Sequence, residues 1–465
     1  MVSRLLTVMG IVAALGAGCQ AQESIPTQAS SATATAMNTP ASLGQPATPA
    51  PTTTAIRLST TDPPTPTIPP TTPRPTSTLV PTPTRTPSPT PRPTPAPSPV
   101  PSTVHYPTWW SRQMQQGCQD REPVLFGSAP LQLENIVNIA PYGLMVGAHV
   151  IPSDHQGYHF GDRSPSPRFD VLAVGDGEIV HITVRRVSVD TGQPSSPQYH
   201  IFLRHSCSII TQYDLLDELE PSIAAQMEAI RAGRALPVRE GQVIGRAGAS
   251  SQGVDLWVAD LRTLAPGYVV PQHYEAEAWR LYAIEPFSLF REPLRSQLQA
   301  KSIRRVEPLG GLADYDVDGR LIGGWFVENT NGYGGLSQTG FFRTHLAVAT
   351  HAYDPSAVIV SLGDFQGQAR QFAVTANGPD PAQVGIVTGA VKYELRYWGY
   401  FHKQTGKSWD YRAPFDEFRV LPWGEAQGTV LMQMVGERRL KVEVFPGRRA
   451  EEVEGFTSNA LFYER

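Results

Sequence analysis

The stretch Asp170-Val-Leu-Ala-Val-Gly-Asp-Gly-Glu-Ile-Val-His-Ile182 decides how the body of this chain is read. Asp176-Gly177 is a turn signal between an apolar run around Val171 and a second run entering at Ile179. From Glu178 to Arg185, Val180, Ile182 and Val184 share one face, and His181, Thr183 and Arg185 the other. That period of two predicts a strand. Further along, Tyr199, Ile201 and Leu203 alternate with His200, Phe202 and Arg204. Ser208–Tyr213 and Val254–Ala259 are also β-rich, and His181 and His200 are expected to face solvent. Pro221–Arg234 reads as the one clear helix of this region, with Pro at its start, Ile223, Met227 and Ile230 at helical spacing, and Gly233 near its end. The helix interrupts a run of strands, so the region reads as mainly antiparallel β.

Beyond it, Pro286–Ser302 is expected to be a helical connector. Then short β-rich runs follow, punctuated by Gly and Pro: Gly323–Glu328, Thr344–Ala349, Ala357–Leu362, Gln371–Thr375, Val391–Trp398, Thr429–Val435 and Leu440–Phe445. That spacing predicts a second all-β domain, a sandwich or a barrel. Gly324-Trp325 at its start is loosely similar to the Gly-x-Trp of lipocalins. Asp314-Tyr-Asp316-Val-Asp318-Gly319 has the order of the first half of a calcium loop. Its twelfth position is Trp325 and not Glu, so a turn at Asp318-Gly319 competes with a calcium site at Asp314, Asp316 and Asp318. Tyr393, Tyr397, Trp398, Tyr400, Phe401, Trp409 and Trp423 could stack on sugars or simply pack between strands.

At the other end, Arg4 precedes an apolar run, Leu5–Leu15, and the small residues Gly16-Ala17-Gly18. This is the pattern of a secretory signal. It is shorter than the roughly 20 apolar residues a membrane span needs. Leu15-Gly16-Ala17-Gly18-Cys19 resembles a bacterial lipobox, although the Leu usual three before the Cys is replaced by Gly16. The resemblance implies lipidation at Cys19; ordinary cleavage, for example after Ala21, is the other reading. From Ser24 to Ser102 the chain is dominated by Pro, Thr, Ser and Ala, and it has too little apolar bulk to bury a core. Extended polyproline of some 80 residues would reach on the order of 250 Å. The chain has three cysteines and a net charge of -4 with no basic stripe, so nucleic acid is not an expected partner. With Cys19 acylated, Cys118 and Cys207 form an even pair in an oxidising compartment, and a disulfide between them is expected.

Four segments resemble lysostaphin/LytM-type zinc metallopeptidases in order and spacing. They are Asp170–Ile182, Tyr199–Leu216, Val238–Gly248 and Gly253–Asp260. The hairpin Val238-Arg-Glu-Gly-Gln-Val-Ile-Gly245 is a close match, and His205 and Tyr213 stand at the family spacing as groove residues. The resemblance covers roughly Gly147–Asp260. It implies the open sheet groove of the duplicated hybrid motif. The implied layout is a signal with lipobox at 1–19, a tether at 20–104, a peptidase-like β domain at 105–285, a helical connector at 286–304 and a β-sandwich or barrel domain at 305–465.

In that family a His-x-x-x-Asp element and the second His of His-x-His hold zinc, and two further His assist the attacking water. An open position on the metal keeps that water and lowers its pKa towards about 7. Carried over, His155 keeps a ligand and His159 replaces the Asp. Asp255 takes the first His of His-x-His, Trp257 the second, and Leu215 stands where the other assisting His belongs. Trp257 offers no side-chain lone pair. A rearranged zinc site of His155, His159 and Asp255 stays chemically reasonable, because Asp255 shares a strand face with Trp257. The departures favour a degenerate, non-catalytic surface lipoprotein that binds cell wall or another extracellular ligand without a cofactor. A zinc peptidoglycan endopeptidase with an altered ligand set, and a carbohydrate-binding or structural envelope protein led by the second β domain, are the alternatives.

Overall fold

The computed structural model describes residues 108–114, 120, 122–160, 169–188, 192–337, 339–374, 378–409 and 417–465. The expected signal, Cys19 and the expected tether lie outside these residues, as does Cys118. Cys207 is disulfide-bonded. Among the described residues no helix is long and apolar enough to cross a membrane.

The described chain opens with a single helical turn, α1 (Thr108–Ser111). Ten strands follow: β1 Asn138–Ala140, β2 Gln156–His159, β3 Phe169–Leu172, β4 Gly177–Val187, β5 Pro194–Arg204, β6 Ile209–Leu216, β7 Glu218–Leu219, β8 Leu236–Val238, β9 Val243–Ala247 and β10 Gly253–Asp260. Seven of them form one sheet in the order β1-β2-β10-β6-β5-β4-β8, and β3-β9-β7 form a smaller one. All their pairings are antiparallel. The turn at Asp176-Gly177 is present, but the strand after it does not alternate evenly. The register shifts between Ile179 and His181, so Ile179 and Ile182 both turn into the core and Val180 turns out of it.

The expected helix Pro221–Arg234 is two short pieces, α2 (Pro221–Ala224) and α3 (Met227–Arg231). Glu220 caps the first by accepting from the Ser222 and Ile223 amides, as an N-cap does. Gln226, at φ -108 and ψ 2, separates the two pieces. Ile223 and Ile230 are the buried residues that dock them. The connector is likewise a 3-10 turn, Pro286–Leu289, followed by α4 (Leu294–Lys301).

The second β region is a closed barrel. Its strands are β11 Gly323–Val327, β12 His345–Thr350, β13 Val358–Phe365, β14 Gln368–Val374, β15 Ala390–His402, β16 Phe418–Gly436, β17 Arg439–Pro446 and β18 Leu461–Glu464. Each pairs with the next, and β18 returns to β11. Of the two architectures expected, the barrel is therefore the one found, and β18 is a strand that sequence patterning did not reveal. Side chains fill the interior, among them Trp325, Leu346, Phe372, Tyr393, Leu395 and Met432. Trp325 closes the base: its indole donates to the Leu321 carbonyl at 2.8 Å, and the Arg465 guanidinium lies 4.0 Å over its ring. Gly323, at φ 119, has Asp316 and Arg465 pressed against the side where a Cβ would sit, so the close approach itself requires glycine.

The barrel and the seven-stranded sheet are not separate beads. One apolar cluster runs through both, joining Phe202, Trp257 and Ala259 of the sheet to Phe326, Ala347, Ala349 and Ala373 of the barrel. The alanines on the barrel's outer face let the neighbouring segment approach closely. The opposite face of the sheet packs its own cluster of Tyr158, Ile201, Tyr213, Leu256 and Val258. As a result β6 is buried at every residue and β10 at all but its last. Strands buried along their whole length are covered on both faces. The open groove that the resemblance implies is thus absent: its face is roofed.

Candidate functional site

Strand pairing defines what the roofed face presents. Asp255 and Trp257 project to the same side of β10. Asp255 pairs with Asp214 and Trp257 with Gln212 on β6, so these four share the face. On the other side of β10, Asp255 pairs with Gly157 of β2. A Cβ on Gly157 would come 3.1 Å from His159 Nε2 and 3.4 Å from Asp255 Oδ1, so the glycine leaves room between these two groups. His155 sits just before β2. Above the face runs a 3-10 segment, Pro271–Tyr282, whose Glu277, Trp279 and Arg280 are buried. Asp154, His155, Gln212, Asp214, Asp255, Trp257, Glu277 and Trp279 together line a small cavity of about 10 Å³, room for about one water molecule.

Charge pairs organise this cavity. His155 lies between two carboxylates, with Nδ1 3.5 Å from Asp154 and Nε2 3.5 Å from Asp255. Burial pushes its pKa down, but Asp255 and then Asp154 outweigh that and raise it to about 9. Burial likewise opposes ionisation of Asp154, yet Arg280 and His155 bring it to about 2. Asp255 is raised to about 7, by burial first and by Asp214 next among the raising causes. Arg280 is the hub: it reaches Asp154 at 3.2 Å, Glu277 at 3.2 Å, the Pro152 carbonyl at 2.7 Å and the Tyr333 hydroxyl at 3.2 Å. Tyr333 lies between β11 and β12, so this hub also stitches sheet to barrel. Three buried polar atoms on the cavity residues have no hydrogen-bond partner: His155 Nε2, Asp255 Oδ2 and Trp257 Nε1.

The residue set does not fit zinc. A catalytic zinc centre needs three protein ligands converging on one point. Among the described residues, no group of three His, Cys, Asp or Glu converges in that way. His155 and Asp255 do meet, but as an ion pair. His159 bonds Asn138 Oδ1 through Nδ1 at 2.7 Å, which leaves its Nε2 beside Gly157, and it does not join the pair in a three-ligand group. Trp257 fills the place of the third family ligand. No catalytic step through a metal follows from this arrangement.

Other expected site residues fall elsewhere. His205 is held by the Asp176 carbonyl at 2.8 Å and Thr211 at 2.9 Å, and burial lowers its pKa to about 4. Tyr213 lies in the apolar core on the opposite face, where its hydroxyl accepts from the Val174 amide at 2.8 Å. Neither lines the cavity. Leu215 is buried at φ 68, an uncommon conformation for a leucine, and the residue that faces the cavity is its neighbour Asp214. His200 does not face solvent: its Nε2 lies 3.0 Å from Asp214, and burial lowers its pKa to about 4. His181 is half-buried and stacks on Trp109 at 4.4 Å. The three candidate calcium ligands diverge. Asp314 accepts from the Gly267 amide at 2.8 Å, Asp316 from Gly324 at 2.7 Å, and Asp318 pairs with Arg438 at 2.9 Å. The turn at Asp318-Gly319 exists, but only β11 follows it and no strand precedes it.

The aromatic run divides three ways. Tyr393 is inside the barrel. Trp398 and Trp409 are buried against the Tyr400 ring, and Trp409 stacks on Phe418. Tyr397, Phe401 and Trp423 stay half-buried on the β15–β16 hairpin.

No family model matches this chain, and no curated protein matches it. Solved structures with partial likeness include the SpoIIQ–SpoIIIAH pore-forming complex, at 16% identity and TM-score 0.23, covering 38% of this chain and 96% of that one. A zinc-containing peptidase from Vibrio cholerae is 18% identical at TM-score 0.21, over 30% of this chain and 38% of that one. Lysostaphin is 12% identical at TM-score 0.21, over 64% of this chain and 100% of that one. Scores of this size decide neither fold nor function, and the fold class rests on strand order and register.

Proposed function

We propose that this chain is an exported surface lipoprotein whose sheet region is a peptidase-like domain that holds a ligand and does not cut it. The ligand is cell wall or another extracellular partner, and the anchor is lipid on Cys19. One observation carries the reading. The strand position that would complete a metal centre holds Trp257, which is buried on the sheet face against Trp110, ring centroids 5.8 Å apart. Beside it His155 and Asp255 face each other at 3.5 Å as an ion pair.

The test uses the purified chain in zinc-containing buffer with isolated peptidoglycan. Sedimentation with the wall and no release of soluble fragments is the expected result. Zinc-dependent release that His155→Ala abolishes would replace this reading with that of an altered endopeptidase. Radiolabelled fatty acid incorporated by the chain and lost in Cys19→Ala tests the anchor.

The barrel supports a second reading, that of a carbohydrate binder. On the β15–β16 hairpin, a Cβ on Gly399 would meet the Phe401 ring at 3.3 Å and Trp423 at 3.7 Å, so the glycine is a gap between two half-exposed rings. Wall binding lost in Trp423→Ala and kept in Trp257→Ala would favour it.

A further inference from the structure

At the strand position of the third family ligand, Trp257 replaces an acceptor by a donor. A histidine there offers a nitrogen lone pair, whereas an indole offers only its N–H. That group, Trp257 Nε1, is buried and finds no acceptor among the described residues. Two more polar atoms on the lining of the same cavity share its condition, His155 Nε2 and Asp255 Oδ2. Trp257 is 2% exposed and Asp255 4%, so outside solvent does not serve them.

These atoms do not satisfy one another. His155 Nε2 and Asp255 Oδ2 stand 3.5 Å apart, beyond the roughly 2.7–2.9 Å of a direct charge-assisted hydrogen bond. A buried polar group left without a partner weakens the fold that contains it, so three such groups around one small cavity call for a shared partner. The cavity, about 10 Å³, takes about one water molecule. The donor set selects among occupants of that size. A cation would meet the proton of the indole, and a halide would meet Asp214 and Asp255. A water molecule both accepts and donates. It can accept from Trp257 Nε1 and donate to Asp255 Oδ2, and it can bond His155 Nε2 whichever ring nitrogen carries the proton.

We propose that this cavity is a hydration site, in which one water molecule bridging His155 Nε2, Asp255 Oδ2 and Trp257 Nε1 stands where the resemblance would put a metal ion. Held by hydrogen bonds under Glu277 and Trp279 of the covering segment, it is a structural water and not an attacking one. The inference concerns the floor of the site and does not rest on wall binding or on the lipid anchor.

Two measurements on the unaltered full-length chain test it. In crystals grown with zinc, a density peak is expected about 2.7–3.2 Å from all three atoms, refining as water and silent in anomalous scattering at the zinc edge. In solution, with the indoles labelled by nitrogen-15, the Trp257 indole proton should show cross-relaxation to a long-lived water. The Trp325 indole, also buried but bonded to the Leu321 carbonyl at 2.8 Å, should show none. Trp257→Phe assigns the resonance; if that variant fails to fold, the density alone decides. Empty density, or a Trp257 indole as silent as that of Trp325, overturns the proposal and leaves the holding role standing. An anomalous zinc peak in the cavity overturns the hydration site and the non-cutting reading together. Wall sedimentation is scored separately, so its failure sinks the wall reading and leaves the water site in place.

Discussion

The two faces of the seven-stranded sheet follow different rules. One is an apolar mosaic of Tyr158, Ile201, Leu256 and Val258. The other carries Asp214, Asp255, His200 and the neighbouring His155, under a roof that includes Arg280 and Glu277. Both are buried to a similar degree. Their difference teaches that burial alone does not mark a core: one face is held by shape, the other by charges that must all remain paired.

That contrast can be broken from the charged side first. Arg280→Ala strands Asp154 and Glu277, and breaking a buried pair by removing one partner costs about 3–5 kcal/mol. An unfolding free energy lower by that amount, read from urea titration, is expected. Arg280→Met would leave the same carboxylates unpaired and should be no better. On the apolar face, Leu256→Ala is expected to cost about 2–5 kcal/mol, towards the low end if the neighbours collapse into the gap. Measuring both at one pH compares the faces directly.

Acid probes the charged face together with histidines buried elsewhere, since His205, His345 and His351 are lowered by burial to about 4, about 3 and about 3. His149 and His200 are held neutral by burial, with pKa values lowered to about 3 and about 4. The unfolded chain takes up those protons near pH 6.5, and the folded chain does so only near pH 3–4. These histidines lower stability as pH drops from about 6.5 to about 4, and Asp255 and Glu277, raised by burial to about 7, oppose them over the same range. His155 works in the opposite sense. Its raised value, about 9, gives stability that is full below the unfolded pKa and is lost as pH rises through 9. Urea midpoints against pH should fall on both limbs, and His200→Gln should make the acid limb shallower while leaving the alkaline limb unchanged. The smallest effect belongs to an exposed pair. Asp318→Asn releases Arg438 at the surface and should change stability by less than about 1 kcal/mol.

Much of the fold was legible because strands carry a period of two. Most segments quoted from the sequence became strands, and the run of short β segments became the barrel. What patterning missed has physical causes. The bulge near Val180 breaks the period within one strand, and the αL turn at Leu215 shifts which neighbour faces the cavity. Applying alternation across β6 to its partner β10 would have pointed to Asp214 and Gln212, the cross-strand neighbours of Asp255 and Trp257. Reading along one strand by family spacing pointed to Leu215. Glu277 and Arg280 carried no local signal, since their role depends on a segment that folds back over the sheet from beyond β10. The same holds for Trp109 and Trp110, which stand next to a stretch without a core of its own. The three aspartates from Asp314 to Asp318 show the converse. Their order matches a calcium loop, but each is taken by a different donor before any ion could gather them.

The barrel's closure has a consequence for neighbouring molecules. Among the described residues, β18 returns to β11 and the large sheet ends in β1 and β8, yet the β15–β16 hairpin projects beyond the ring: β17 pairs with β16 only from Gly428 onward. β1 has three residues and is already bridged at Ile139 to Ser302; β8 is Leu236-Pro237-Val238, with a proline that has no N–H to offer. Copies held at high local density thus meet only short or blocked edges on the large sheet, and on the barrel the projecting hairpin is the place where strand edges come within reach.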